Sequence, residues 1–386
     1  MALALHTADW HLGRIFSNTN FSLHPVQEKI LDEICSLAER EEVDLVLVAG
    51  DVFDSYNPPF KAEELFYRTL VRLSGGGRRP VFVCAGNHDA PEKFEVPRPL
   101  AAGVHGIILV SSLAANLSDF SLETAHYKLE AQDGFLKLTL KNKNEIVAIK
   151  ILPYPSQARF GIGEELFRET LWKLLCQTPT FTADTAFLLS HLWTEKAQKG
   201  DSEREFLGGA ELVPLHFFSD NWDYIALGHL HRFQQVTPKV CYAGSIFPFT
   251  LEEINDPKGV VFWDDKKGLR FQTFSSSPPI KKICCQNLDE AIERAQNLEK
   301  ECLVFLKFPA LNLGPEGIKC LKAAYGPRLL GLHFDIPEED IPHFLSPKKL
   351  EPEELFREFY RQTYREDPSP DLLRLFCQFL DQVRKT

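Results

Sequence analysis

The chain has 386 residues, of which 44% are hydrophobic and 25% are charged, and its formal net charge at pH 7 is -11. At roughly 150 residues per domain, this length predicts two or three folding units. The composition is that of a globular protein, and it excludes a disordered chain, a collagen-like chain and a coiled-coil rod. The acidic balance argues against a broad basic surface for nucleic acid but is compatible with a local one.

The sequence pattern contains no signal for a membrane or for export. Its apolar runs stay well below the roughly 18 residues of a membrane-spanning helix, and Met1–His6 lacks the basic segment of a signal peptide. The nine cysteines are scattered without a CxxC pair, which is typical of free thiols in a reducing compartment. We therefore expect a cytoplasmic protein without a membrane anchor.

Short apolar runs alternate with helical patterns through the first part of the chain. Buried strands are predicted at Leu3–Ala8, Asp44–Ala49, Pro80–Ala85 and Ile107–Val110, with helices at Pro25–Glu42 and Lys61–Leu73. Between Tyr127 and Leu152 apolar residues alternate with polar ones, which predicts antiparallel strands. Further strands are predicted at Ala186–Ser190, Tyr224–Leu227, Val240–Ala243 and Val260–Trp263, after a helix at Gly163–Leu175. This order favours a layered α/β body built on two mixed sheets.

A Ser- and Pro-rich segment, Ser275–Pro279, is typical of a linker. Beyond it, a βαβαβ pattern extends to Ile336, and two amphipathic helical patterns follow Pro347. We therefore predict three parts: residues 1–274, residues 275–345 and residues 346–386.

Metal-ligand residue types follow five of the predicted strands. Ligand-type side chains just past the carboxyl ends of strands are typical of α/β sites. The donors are carboxylate, amide and imidazole without thiolate, a set that suits manganese, iron or zinc. The residues are Asp9, His11, Asp51, Asn87, His191, His229 and His231.

The number of these residues fits two metal ions. One ion would take Asp9, His11 and His231, the other would take Asn87, His191 and His229, and Asp51 would bridge both. Two divalent cations outweigh the charge of two carboxylates, so the site would stay net positive within an acidic protein. Such a site attracts an anionic ester and stabilises the charge that develops on its oxygens.

The motifs DxH, GDxxD, GNHD and GHLH, in this order, resemble the signature of calcineurin-like metallophosphoesterases. Three longer segments are similar to the SbcD branch of that superfamily, the nuclease subunits of bacterial SbcCD-type complexes. They are Gly50–Asp54 with Pro58 and Pro59, Gly200–Arg204 with Gly208 and Gly209, and Asp223–Arg232. The resemblance covers essentially the whole chain, although Ser156–Gly163 shows none.

The resemblance implies a four-layer sandwich of two mixed β-sheets flanked by helices, with a small α+β capping domain and a C-terminal helical tail. It implies a DNA nuclease, a 3′–5′ exonuclease or endonuclease of DNA repair and hairpin processing, that uses two manganese ions held by the seven residues above. The implied partners are DNA, an SbcC-type SMC-like ATPase docked on the C-terminal helices, and a second copy of the chain. The homodimer contact would lie near Lys61–Leu73 and Pro91–Ala102.

Further residues receive roles with alternatives. His88 would be the general acid beside the scissile phosphate, or it would only orient Asn87 or Asp89. Asp54 and Asp89 would each accept a hydrogen bond from a ligand histidine or cap a turn. Candidate phosphate contacts, which could equally be ordinary surface charges, are Arg14, Lys93, Arg98 and Arg232.

Two other functions remain open on the sequence. A small-molecule or cyclic-nucleotide phosphodiesterase could use the same core, although it would not need the capping unit or the tail. A scaffold that keeps its metals and mainly carries a partner to DNA is the third hypothesis. The tail helices could also pack on their own chain.

Overall fold

The computed structural model describes residues 2–112, 120–200, 212–309, 313–335, 352–364 and 367–383. Residues 201–211, which include most of the segment similar to SbcD after Gly200, lie outside these ranges. The boundary predicted at residues 345 and 346 also lies outside them, so the predicted division into three parts remains a prediction.

Strands and helices alternate along most of the chain. In chain order, the strands are β1 (Leu3–Thr7), β2 (Ile15–Phe16), β3 (Phe21–Ser22), β4 (Leu45–Ala49), β5 (Val81–Cys84), β6 (Ile107–Val110), β7 (Ser121–Glu123), β8 (Tyr127–Gln132), β9 (Phe135–Leu140), β10 (Glu145–Leu152), β11 (Thr185–His191), β12 (Tyr224–Gly228), β13 (Gln234–Gln235), β14 (Val240–Tyr242), β15 (Gly259–Asp264), β16 (Gly268–Thr273), β17 (Ile280–Cys284), β18 (Leu303–Phe308) and β19 (Leu329–Phe334). The α-helices are α1 (His24–Arg40), α2 (Phe60–Ser74), α3 (Pro91–Glu95), α4 (Arg98–His105), α5 (Gln157–Phe160), α6 (Glu164–Cys176), α7 (Leu288–Gln296), α8 (Gly314–Tyr325), α9 (Pro352–Tyr364) and α10 (Pro370–Val383).

Two mixed sheets form the body of the protein, as the sequence predicts. The first has the strand order β16-β15-β1-β4-β5-β6, in which β1, β4, β5 and β6 are parallel and β15 pairs antiparallel with both β1 and β16. The second has the order β13-β14-β12-β11-β10-β9-β8-β7, and its parallel part is β10, β11, β12 and β14. The antiparallel pairing predicted between Tyr127 and Leu152 is present as β8, β9 and β10.

Buried side chains fall into three clusters that separate four layers. Alternate residues of a strand point to opposite faces, and in β4 Val46 and Val48 join α1 and α2 in one cluster. Leu45 and Leu47 instead join the cluster between the two sheets. The third cluster lies on the far face of the second sheet, and α6 contributes Phe167 to it. The layers are therefore helix, sheet, sheet and helix.

A small sheet with the order β17-β18-β19 follows the body, accompanied by α7 and α8. Phe305 and Leu330 of this sheet belong to the same cluster as α1 and α2. The loop of the β2–β3 hairpin binds it as well, since Asn18 donates to the carbonyl oxygen of Leu332 and Thr19 to that of Leu330. Residues 1–308 and 313–333 accordingly form one compact unit.

The last two helices belong to a second unit. Its α9 and α10 pack against each other through Phe356 and Phe376, whose stacked rings have centroids 4.2 Å apart. Among the described residues, no helix is both long and apolar enough to cross a membrane. The cysteines of the described part of the chain form no disulfide with one another.

The cluster between the sheets should contribute substantially to stability. Leu138 of β9 is fully buried there, whereas Leu166 of α6 is 54% exposed. We expect Leu138→Ala to lower the free energy of unfolding by about 2–5 kcal/mol, because it removes buried methyl groups and leaves a cavity. Leu166→Ala is the matched control and should change it by less than about 0.5 kcal/mol. Urea denaturation of both variants measures the difference, and equal midpoints would contradict this layer assignment.

Candidate metal centre

Five loops at the carboxyl ends of parallel strands converge between the two sheets. In the first sheet β1, β4 and β5 are neighbours, and in the second β11 and β12 are neighbours. The structure brings the seven predicted donors together, and all are buried. They are Asp9, His11, Asp51, Asn87, His191, His229 and His231.

One group of donors consists of Asp9, His11 and His231, with one ligand atom of each within 4.8 Å of the others. The Nε2 atoms of His11 and His231 are 3.2 Å apart. Asp9 is fixed by the backbone N–H of His229, which lies 3.1 Å from both carboxylate oxygens. This is the composition predicted for the first metal.

A second group consists of Asp51, His191 and His229. Asn87 joins it, because its Oδ1 lies 2.9 Å from Nε2 of His191 and 3.0 Å from Nδ1 of His229. Asp51 lies between the groups, with Oδ2 3.4 Å from Nε2 of His191 and 3.7 Å from Nε2 of His11. That position is the one expected of a bridging carboxylate.

The donor set fits a divalent cation. Nδ1 of His231 is 3.3 Å from the Glu253 carboxylate, which can only accept, so Nδ1 carries the hydrogen. Nδ1 of His11 similarly lies 3.5 Å from the carboxylate of Asp54. Both Nε2 atoms are therefore left with lone pairs that converge, an arrangement that a cation satisfies.

The backbone around the donors is held in sparsely populated conformations. Asp9, His11, Asp51 and His229 have φ angles of 51°, 45°, 47° and 101°. Such left-handed geometry is costly for residues other than glycine and clusters at functional sites. The loops hold one another in place, since Asp9 N donates to Gly50 O and His11 N to Asp51 O, each at 3.0 Å. These bonds help to fix the strained conformations.

Gly86 shows how closely the loops approach. A Cβ atom at this position would overlap both the carboxylate and the backbone N–H of Asp51. Only glycine therefore permits the loop that carries Asn87 to pass this close to the central carboxylate.

Burial and neighbouring charges give the donor histidines two different protonation states. Burial lowers the pKa of His11 to about 4 and that of His229 to about 3, so both are neutral at pH 7. Burial opposes charge on His191 as well, but the neighbouring Asp51 carboxylate outweighs it and raises the pKa of His191 to about 9. Burial raises the pKa of Asp9 to about 7, although the nearby His191 and His231 oppose the shift.

His88 lies at the rim of the centre and is partly exposed. Its backbone N–H donates to Oδ1 of Asp51 at 2.9 Å, and its ring Nδ1 donates to the carbonyl oxygen of Asp54 at the same distance. The ring packs edge-on against His11, with centroids 4.9 Å apart. A possible ligand atom of His88 also lies within 4.8 Å of one such atom in His11 and one in Asp51. The position is compatible with an acid beside the metals.

Asp54 and Asp89 have different surroundings. Asp54 faces His11 and accepts a hydrogen bond from Arg14 at 2.8 Å, and together these contacts hold the pKa of Asp54 well below its usual range despite burial. Asp89 instead accepts from three backbone N–H groups, those of Val52, Phe53 and Gly86. It joins the loops after β4 and β5 and contacts no ligand imidazole through these bonds.

Each of the four basic residues predicted to contact phosphate has a carboxylate partner. The pairs are Arg14 with Asp54, Lys93 with Glu63, Arg98 with Glu95, and Arg232 with Asp256. A DNA phosphate would therefore have to share or displace these carboxylates.

Comparison with known proteins agrees with this geometry. The calcineurin-like phosphoesterase profile matches residues 3–233. The SbcD subunit of the nuclease SbcCD from Bacillus subtilis (strain 168) is 30% identical over 99% of this chain and 98% of its own length. The SbcD subunits from Rhodobacter capsulatus and Escherichia coli (strain K12) are 28% and 29% identical over 67% and 66% of this chain, and 65% and 63% of theirs.

The chain belongs to the calcineurin-like phosphoesterases, in the branch of the SbcD nucleases. Its layered architecture and its cluster of histidines and carboxylates are those of a metallophosphoesterase. The resemblance drawn from the four motifs is thus confirmed.

Sequence reasoning missed two kinds of residue around the centre of this phosphoesterase. Tyr154 packs its ring 6.0 Å from those of His191 and His229, and Arg159 lies over Tyr154 and donates to the Asp89 carbonyl oxygen at 2.9 Å. Both follow β10 in or beside the stretch that resembles nothing familiar. Glu253 had no signal either, because it follows His231 by 22 residues without a motif.

The raised pKa of His191 predicts that metal binding releases protons. Below pH 9 the metal-free protein holds a proton on His191, and near pH 7 Asp9 is partly protonated, whereas a divalent cation needs both groups deprotonated. Apparent Mn²⁺ affinity should therefore rise from pH 6 to about 9 and then level off. Calorimetric titration at pH 7 in buffers of different ionisation enthalpy measures the protons, and buffer-independent heats would contradict the expectation.

Proposed function

We propose that this phosphoesterase is a manganese-dependent DNA nuclease and the catalytic subunit of an SbcCD-type complex. Membership of the family makes it a phosphodiesterase of the nuclease branch. The observation that carries the proposal is the pair of donor groups that share Asp51. The relatives named as SbcD subunits of the nuclease SbcCD support DNA as the substrate and an SbcC-type ATPase as the partner.

Asp9, His11 and His231 would hold one divalent cation, Asn87, His191 and His229 a second, and Asp51 would bind both. Bound at these residues, the ions would supply Lewis-acid activation of water and of the phosphate. Manganese suits the mixed imidazole, amide and carboxylate donors. The two sheets bury these donors, and in such a site fixed charges act on the phosphate more strongly than in water.

His88 is the proposed general acid. Its Nδ1 is occupied by the Asp54 carbonyl oxygen, so Nε2 is the nitrogen available to a substrate. A departing 3′-alkoxide is a poor leaving group, and an imidazolium can protonate it. Asp54 would then serve twice, through its carbonyl oxygen to His88 and through its carboxylate to His11.

A second copy of the chain is the proposed partner for the face formed by α2, α3 and α4. Val71 and Val96 are exposed there, and Leu100 and Val104 of α4 are 76% and 66% exposed. A cluster of large apolar side chains on the surface is typical of a protein contact. The face coincides with the dimer contact expected near Lys61–Leu73 and Pro91–Ala102.

The two C-terminal helices are the proposed docking element for the coiled coil of the ATPase. Phe359 of α9 and Phe379 of α10 are exposed, next to the stacked Phe356 and Phe376. An amphipathic helix pair with exposed aromatic residues fits recognition of another helix.

Asp51→Ala and His88→Ala test the proposed function in the purified chain with Mn²⁺. Cleavage of an end-labelled DNA duplex should disappear in Asp51→Ala, because both donor groups lose their shared carboxylate. In His88→Ala it should fall by about 10²–10⁴-fold, the usual contribution of a general acid, while Mn²⁺ binding persists.

A small chromogenic phosphodiester serves as the companion substrate. Its activated leaving group needs little protonation, so His88→Ala should spare its hydrolysis. Turnover of this ester without DNA cleavage, even with the ATPase partner present, would favour a small-substrate phosphodiesterase and contradict the nuclease proposal.

Leu100→Glu tests the proposed dimer. A buried, unpaired carboxylate on the contact face should shift the chain from dimer to monomer, as measured by light scattering after size-exclusion chromatography. Leu166→Glu, at an exposed position of α6, is the control and should leave the mass unchanged. A parent chain that is already monomeric at micromolar concentration would show that this face is not a dimer contact.

A further inference from the structure

Three buried polar side chains lie behind His231, in the segment between β14 and β15. Glu253 and Lys258 are 4% and 7% exposed, and Ser245 is fully buried. None of them belongs to the proposed ligands, yet all three are connected to His231 by hydrogen bonds. A buried acid and base beside a metal centre call for a physical reason, because burying charge is costly unless it is well paired.

Glu253 and Lys258 hold His231 at two places. The Glu253 carboxylate lies 3.3 Å from Nδ1 of the ring through Oε1, and its Oε2 accepts from Nζ of Lys258 at 2.7 Å. The same ammonium donates to the backbone carbonyl oxygen of His231 and to Oγ of Ser245, each at 2.8 Å. Ring and backbone of His231 are thus tied to one ion pair.

We propose that Glu253 and Lys258 are positioning residues for His231. The carboxylate fixes the ring plane and the tautomer that leaves the Nε2 lone pair facing His11, and the ammonium holds the carboxylate in place. A carboxylate behind a ligand imidazole also makes the imidazole a more basic ligand. The inference rests on the proposed function, since it takes His231 as a metal ligand.

The two donor groups therefore differ in what supports them. Nδ1 of His191 donates to the backbone carbonyl oxygen of Ala49 at 2.8 Å. His231 instead depends on a carboxylate 22 residues further along the chain. Loss of that carboxylate should weaken the group of Asp9, His11 and His231 and spare the group of His191.

Mn²⁺ titration of the metal-free full chain tests this, with Glu253→Gln and Lys258→Met as variants. The matched controls are Glu145→Gln and Lys150→Met, which change a buried acid and a buried base of β10. Glu145 is bonded to Thr185, and Lys150 to Gly134 and Gln177. We expect the two variants to lose about 10–100-fold in affinity at one of two binding steps, while the controls bind as the parent chain does.

The double variant Glu253→Gln/Lys258→Met separates positioning from a merely structural role. It leaves no unpaired buried charge, so the melting temperature of the metal-free protein should recover relative to the single variants. Mn²⁺ affinity should stay low, because the carboxylate behind His231 is still missing.

Recovery of affinity together with stability would overturn the proposal, as would equal affinities of Glu253→Gln and Glu145→Gln. Absence of Mn²⁺ binding in the parent chain is a different result. It would overturn the proposed function, and the positioning role would fall with it.

Discussion

The electrostatics of the donor site depend on the buried carboxylate of Asp51. An ionised carboxylate in a protein interior is tolerated only with close donors or cations. Asp51 receives the N–H of His88 on one oxygen, while His191 and His11 lie 3.4 and 3.7 Å from the other. Burial by itself would raise the pKa of Asp51, but the neighbouring His191 imidazole outweighs it and holds that pKa well below its usual range. Two divalent cations held at these residues would add positive charge beside the Asp51 carboxylate. Metal binding would therefore also stabilise the buried negative charge.

Two sheets are needed to bring such donors together. Asp9, Asp51 and Asn87 come from neighbouring parallel strands of one sheet, and His191 and His229 from neighbouring parallel strands of the other. Each set approaches from the side of its own sheet, and the apolar cluster between the sheets fixes the distance between them. Packing between the sheets, which includes Ala8 and Ala49 close to the donors, thereby helps to set the spacing of the donors.

Much of this arrangement could be predicted from the sequence. The buried strands, the two long helices α1 and α2 and the seven donors were all predicted, because continuous apolar runs and ligands at strand ends are strong local signals. The short strands β2, β3 and β13 were missed, since two residues carry no periodicity. The carboxylate partners of Arg14 and Arg232 could not be predicted either, because residue spacing in the sequence does not reveal an ion pair between distant segments.

Glu253 was invisible for a related reason. The role proposed for it depends on a bond across 22 residues, and a glutamate beside a second glutamate in a short helical turn without a motif is more typical of a solvated charge. Asp54 and Asp89 illustrate the limit within a motif. The sequence allows both the same two roles, yet Asp54 faces a histidine and Asp89 binds three backbone N–H groups. Which alternative applies is decided by the approach of a second loop.

The β2–β3 hairpin gives the small three-stranded sheet a mechanical connection to the metal centre. One end of the segment carries His11 and Arg14, and a few residues later Asn18 and Thr19 bind the carbonyl oxygens of β19. Phe16 meanwhile packs against Phe305 of β18, with ring centroids 5.8 Å apart. Because this segment is short and is bound at both ends, it can change its length very little. A displacement of the small sheet would therefore act on the loop of His11 as well as on α1 and α2, against which Phe305 and Leu330 pack.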